Sequence, residues 1–188
     1  LEEKVFGYKL KAMYPETNKY DTVMDLLNKI DKSISGYLGL KTLVSLFTGF
    51  LSYLVLLIVG VEAPVFWALL IFIMNYIPTV GSLVGTLFPA AFALLQFGEI
   101  APFIYVIVFV GIIQVIIGNV IEPKLLGNSL NISSLVVILS LTIWGSIWGI
   151  MGMVLSVPIT VMMIIVCEQI PQLRFIAILL SEKGELKA

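Results

Sequence analysis

The sequence predicts an all-α, polytopic helical membrane protein with an amphipathic amino-terminal helix and two helical hairpins broken at glycine and proline. Three observations carry that prediction. Of 188 residues, 60% are apolar and only 12% charged, about half the charged fraction of a soluble domain. The charges also gather at the ends: thirteen lie in residues 1–41, six in 168–188, and only Glu62, Glu99, Glu122 and Lys124 between. Finally, the uncharged blocks have lengths suited to one or two passages through a hydrocarbon core of about 30 Å. The chain therefore divides into a polar segment (1–41), a transmembrane domain (42–167) and a cytoplasmic tail (168–188). The first residues, Leu1-Glu2-Glu3-Lys4, are neither a methionine nor an apolar leader; they read as the inside of a longer protein.

The same composition excludes several functions. A net charge of −1 without a basic cluster argues against nucleic-acid binding. One cysteine, Cys167, allows no internal disulfide, and with no histidine there is neither the commonest zinc ligand nor the commonest general base. No Walker sequence is present, so nothing here encodes an ATP-driven pump. Without a nucleophile–base pair the chain does not read as an enzyme, and no cofactor or metal is expected.

The elements follow in order. In residues 1–41, Val23, Leu26, Leu27, Ile30, Ile34, Tyr37 and Leu38 keep i, i+3, i+4, i+7 spacing. Asp21, Asp25, Lys29, Asp31 and Lys32 fill the opposite side, which makes an amphipathic helix. Such a helix lies on the membrane surface, packs on a partner subunit, or simply connects in solvent to the first span. Leu43–Val61 is 19 uncharged residues, about 28 Å of helix and one crossing. Pro64–Gly98 is 35 uncharged residues, about 52 Å if straight. It must fold back at Asn75-Tyr76-Ile77-Pro78-Thr79-Val80-Gly81-Ser82, as two spans or a re-entrant pair. Ile100–Ile121 is 22 residues and one span; Ser134–Cys167 is 34 residues, interrupted by Gly145, Gly149, Gly152 and Pro158, and should also double back. With both hairpins, Lys124 falls on the side of the amino-terminal lysines and of Arg174, Lys183 and Lys187. The positive-inside rule then puts both ends in the cytoplasm.

Paired broken segments are how transporter folds expose backbone and half-helix ends inside the bilayer. The candidate pathway residues are those that place polarity or a break within apolar blocks: Asn75, Pro78, Thr79, Gly81 and Ser82 at the first break, and Gln114, Asn119, Glu122 and Pro123 around the end of the third block. Each also has a plainer reading. Asn75 caps a half-helix, Gln114 bonds a neighbouring helix, and Glu122 anchors at the interface beside Lys124. Gly81 with Gly85, and Gly145 with Gly149, have the spacing that lets helices approach closely, and Gly152 adds a further small site. Asn131-Ile132-Ser133 matches a glycosylation sequon and is discounted as chance.

Three segments together resemble the autoinducer-2 exporter family, also called the PerM-like permeases. Asn75-Tyr76-Ile77-Pro78-Thr79-Val80-Gly81-Ser82 is similar to its N-x-IP-x-x-G signature; Gly118-Asn119-Val120-Ile121-Glu122-Pro123-Lys124-Leu125-Leu126-Gly127 follows. Ile143-Trp144-Gly145-Ser146-Ile147-Trp148-Gly149-Ile150-Met151-Gly152-Met153, then Val157-Pro158-Ile159, is the third. They occur in the family's order and cover Leu38 to Cys167. Where Asn131-Ile132-Ser133 stands, family members often carry a proline. The resemblance implies a multi-pass protein of the bacterial or archaeal inner membrane, about twice this length and homo-oligomeric. Its implied substrate is a small solute such as an autoinducer-2-like signal, exported without ATP. The resemblance puts function at Asn75, Pro78, Gly81, Gln114, Asn119, Glu122 and Pro123. Two alternatives stand beside it: a Na+(Li+)/H+ antiporter, which needs an ionisable group deep in the bilayer, and a membrane scaffold that transports nothing.

Overall fold

A computed structural model of the chain describes residues 17–126, 132–182 and 184. Leu1–Glu16, Asn131 of the sequon, Gly127 of the second family segment, and Lys183 and Lys187 of the tail lie outside them. The described residues are mostly helical, with one isolated bridge between Ile132 and Ser181. Helix α1 spans Thr17–Val59, α2 Pro64–Met74, α3 Val80–Phe97 and α4 Ile100–Ile116. A π-helical turn, Ile117–Ile121, joins α4 to the short α5, Glu122–Leu126. Then come α6, Ser134–Gln169, a 3-10 turn at Pro171–Leu173, and α7, Arg174–Leu180.

The amphipathic segment and the first span are one helix. At 43 residues α1 is about 64 Å long, and it runs without interruption through residue 41. Its amphipathic half does not lie free: Leu26, Ile30, Tyr37 and Leu38 pack against Val157, Val161 and Ile165 of α6. Lys29 adds an exposed pair to Glu168 at 3.5 Å, of small energetic value. The apolar stripe read from the sequence is thus used inside the molecule.

Both long uncharged blocks fold back. The first becomes α2 and α3, whose arms are unequal: about 16 Å and about 27 Å. The chain reverses through Asn75–Thr79, with Thr79 at φ 61° and Gly81 wedged so tightly that a Cβ there would sit 1.7 Å from the Met74 carbonyl oxygen. The second reverses inside α6 at Gly149, whose φ of 62° with ψ of −140° only glycine adopts freely. Of the four interruptions read in this block, Gly149 alone makes the turn. Gly152 repeats the wedge, 1.8 Å from the Trp144 carbonyl oxygen, while Gly145 faces the Met153 side chain. Ser140 Oγ pins the arms together, donating to the Ser156 carbonyl at 2.9 Å and meeting Thr160 Oγ1 at 2.5 Å. In a straight helix residues 140 and 156 would be about 24 Å apart.

Two packed bodies result. Leu56, Val61, Ile71, Ala90, Ala93, Val106 and Val110 join the second half of α1 to α2, α3 and α4. The return arm of α6 packs on the first half of α1 and, through Ile164 and Cys167, on Ala177 of α7. Large side chains such as Phe47, Phe50, Leu57, Ile58, Phe66, Leu95 and Ile104 face outward. Among the described residues four helices are long and apolar enough to cross a membrane, the doubled-back α6 included. A lipid surround is what such a surface requires.

Candidate functional site

Inside the first body the packing is not wholly apolar. Lys41, Ser45, Thr48 and Ser52 fall at i, i+4, i+7 and i+11 on α1, one stripe of its surface. All four are between 0% and 4% exposed. Polar groups in that position are costly unless partnered, so the partners define the site.

Ser45 Oγ accepts a hydrogen bond from Asn75 Nδ2 at 3.0 Å. Asn75 thus occupies the C-cap position of α2 through its backbone, while its side chain bonds to α1. Next to it in the same turn, Tyr76 places its hydroxyl 2.7 Å from Thr42 Oγ1. One turn back along α1, Lys41 Nζ makes an ion pair with Glu122 Oε1. Glu122 thus takes a buried lysine 81 residues away as its partner, not Lys124, which is exposed. Tyr37, buried one turn from Lys41, carries this polar level into the contact with α6.

Glu122 reaches Lys41 because of the π-turn. In an unbroken α-helix it would point about 80° away from Gln114, eight residues earlier. The i→i+5 turn at Ile117–Ile121 takes up an extra residue and sets the phase back by about 100°. Gln114 and Glu122 then share one face of α4 and α5. Gln114 is 8% exposed and lies against Gly85, where a Cβ would be 3.2 Å from its Nε2 and 3.4 Å from Ile71 Cγ1.

Two of the expected pathway residues, Asn75 and Glu122, meet the α1 stripe, while a third, Gln114, lies buried against Gly85 of α3. Gly81 shapes the turn that presents Asn75, with Pro78 half-buried beside it. Ser82 Oγ donates to the Thr79 carbonyl at 2.8 Å, a local bond within the turn. Thr79, Asn119 and Pro123 are exposed and do not face the stripe. Lys41, Ser45, Thr48, Ser52 and Tyr76 are functional candidates that the sequence reading passed over, although the four-residue stripe is visible in the sequence. Among the described residues no group of three or more acidic, cysteine or histidine side chains is placed to hold a metal ion.

Comparison with known proteins agrees with this architecture. Residues 3–172 match the model of the AI-2E family transporter. A Borreliella burgdorferi protein is 34% identical over 183 residues, covering 96% of this chain and 50% of that protein. The AI-2 transport protein TqsA of Escherichia coli is 38% identical over 159 residues, covering 85% and 46%. YhhT, also from Escherichia coli, is 41% identical over 138 residues, covering 71% and 38%. The chain spans about half the length, or less, of these relatives. With its broken hairpins, its membrane-length helices and a match over most of its length, this chain belongs to the AI-2E family of transporters, as a multi-pass membrane segment.

Proposed function

We propose that the protein is a secondary transporter, moving a small polar solute across the bacterial inner membrane without ATP, and that the α1 stripe with Asn75, Gln114 and Glu122 lines its path. The observation that carries this is the stripe itself. A polar row buried inside an otherwise apolar packing of membrane-length helices has a cost that a purely structural subunit has no reason to carry. TqsA is named for AI-2 transport, and an autoinducer-2-like sugar derivative is accordingly the solute to try first. Export through alternating access, with the α2–α3 hairpin tip moving against α1, and assembly as a homo-oligomer complete the reading.

The geometry favours this over sodium/proton exchange. The acid of the path, Glu122, is already neutralised by Lys41, whereas an exchanger needs an ionisable group free to trade one cation for another. Reconstituting the full-length protein in ATP-free vesicles tests the choice. Uptake of a labelled autoinducer-like sugar derivative is expected, without sodium-driven proton movement. Proton movement alone would reverse the order of the two readings, and neither flux would return the protein to the scaffold reading.

A further inference from the structure

Gln114 leaves a donor unused. Among the described residues its amide nitrogen has no hydrogen-bond partner, and neither has the Ser52 hydroxyl, which is fully buried, nor the Trp67 indole nitrogen on α2. Counting along the antiparallel α1 and α4 from the Lys41–Glu122 pair brings Gln114 to the level of Thr48 and Gly49, with Ser52 about one turn further along α1. Ser52 stands at the midpoint of the uncharged stretch Leu43–Val61, about 16 Å along α1 from Lys41. These groups therefore sit near the middle of the membrane, where no bulk water completes them. Gly85 lets the Gln114 amide approach α3 closely: a Cβ there would lie 3.2 Å from Gln114 Nε2.

The chemistry of the unused atoms is one-sided. An amide N–H and an indole N–H offer hydrogens and no lone pair, and a serine hydroxyl offers either. Hard cations take oxygen ligands, several at a time. Among the described residues no carboxylate is at this level: Glu122 is committed to Lys41, and Glu62 and Glu99 lie in the connections before α2 and before α4.

We infer that the layer around Gln114 and Ser52 binds a small uncharged solute through its carbonyl or hydroxyl oxygens, with the Gln114 N–H setting the preference for such a solute over an alkali cation. This rests on the transport reading above and adds the site and its selectivity. The solute supplies the acceptor that the empty protein lacks, so the layer is a place where stability has been given up for binding.

The test uses the full-length protein in detergent and in vesicles, with a radiolabelled five-carbon hydroxyketone and radiolabelled sodium as probes. Gln114→Met removes the unsatisfied donor at similar volume. It is expected to raise the melting temperature of the unloaded protein, to abolish its thermal stabilisation by the hydroxyketone, and to lower hydroxyketone flux about tenfold or more. Ser52→Ala should change flux in the same direction. Gln114→Glu replaces donor by acceptor; hydroxyketone binding should be lost with no gain in sodium binding. Wild-type flux and stabilisation in Gln114→Met would overturn the inference while leaving transport intact. Sodium binding that strengthens in Gln114→Glu would overturn it in favour of a cation site. If the hydroxyketone stabilises the wild type through Gln114 but no flux is seen, the site stands and the transport reading falls.

Discussion

At the scale of single residues, the Lys41–Glu122 pair sets the terms. Lys41 is 4% exposed, so removing its counter-charge leaves an ammonium group with no compensation. Glu122→Gln is therefore expected to destabilise the protein by about 3–5 kcal/mol. Replacing both partners by methionine removes the two desolvation penalties together, and should bring stability back to the wild-type level or above it. Chemical unfolding of the three proteins in detergent measures both effects, and a double variant as weak as the single one would show that the pair is not what holds α5 to α1. Glu122 was legible as an unusual carboxylate at a helix end, but its partner was not. Lys41 reads as the last charge of the polar segment. Only once α1 is seen to run on unbroken does its place in the i, i+4, i+7, i+11 row with Ser45, Thr48 and Ser52 turn it inward.

At the scale of elements, the reversals and the π-turn carry the site. Gly81→Ala would push a methyl to 1.7 Å from the Met74 carbonyl oxygen, a backbone atom that cannot swing aside, so the turn presenting Asn75 must open. A loss of about 3 kcal/mol or more is expected. Gly111, on α4 with nothing within 4 Å, is the control: alanine there should be neutral or stabilising by up to about 1 kcal/mol. Thermal unfolding of the two variants separates wedge from helix propensity, and equal melting temperatures would remove the wedge argument. Deleting Val120 tests the π-turn. The segment should relax to α-helix, swing Glu122 about 100° off Lys41, and cost as much stability as Glu122→Gln. A deletion variant as stable as wild type would mean that the π-turn does not place Glu122. That both long blocks double back was legible, because neither fits the bilayer as one rod. Which interruption makes the second turn was not, since Gly145, Gly149, Gly152 and Pro158 all weaken a helix and only φ tells them apart. The π-turn left no mark in the pattern at all: Ile117–Ile121 looks like the continuation of α4.

At the scale of the whole molecule, two packed bodies share one helix. The charge distribution announced the membrane, but the sequence could not tell which apolar faces meet each other and which meet lipid, since both ask for the same residues. α1 carries the α2–α3 hairpin and α4 on its second half and the return arm of α6 on its first. If transport requires those bodies to move relative to one another, α1 must bend between them. Gly39 stands there, with Gly36 one turn before it at the edge of the α6 contact, both exposed and with nothing within 4 Å of a Cβ at either. Neither is needed for close packing or for a positive φ, and each weakens the helix by about 0.8–1 kcal/mol relative to alanine. Placing alanine at both should therefore raise stability by about 1–2 kcal/mol. Under the moving-body account, the same double variant should transport several-fold more slowly, because the bend that separates the bodies has become harder. Vesicle flux measured beside melting temperature decides it. A more stable protein with unchanged flux would mean that the two bodies travel as one, and that the motion of transport lies within the first body, between the hairpin tip and the polar stripe of α1.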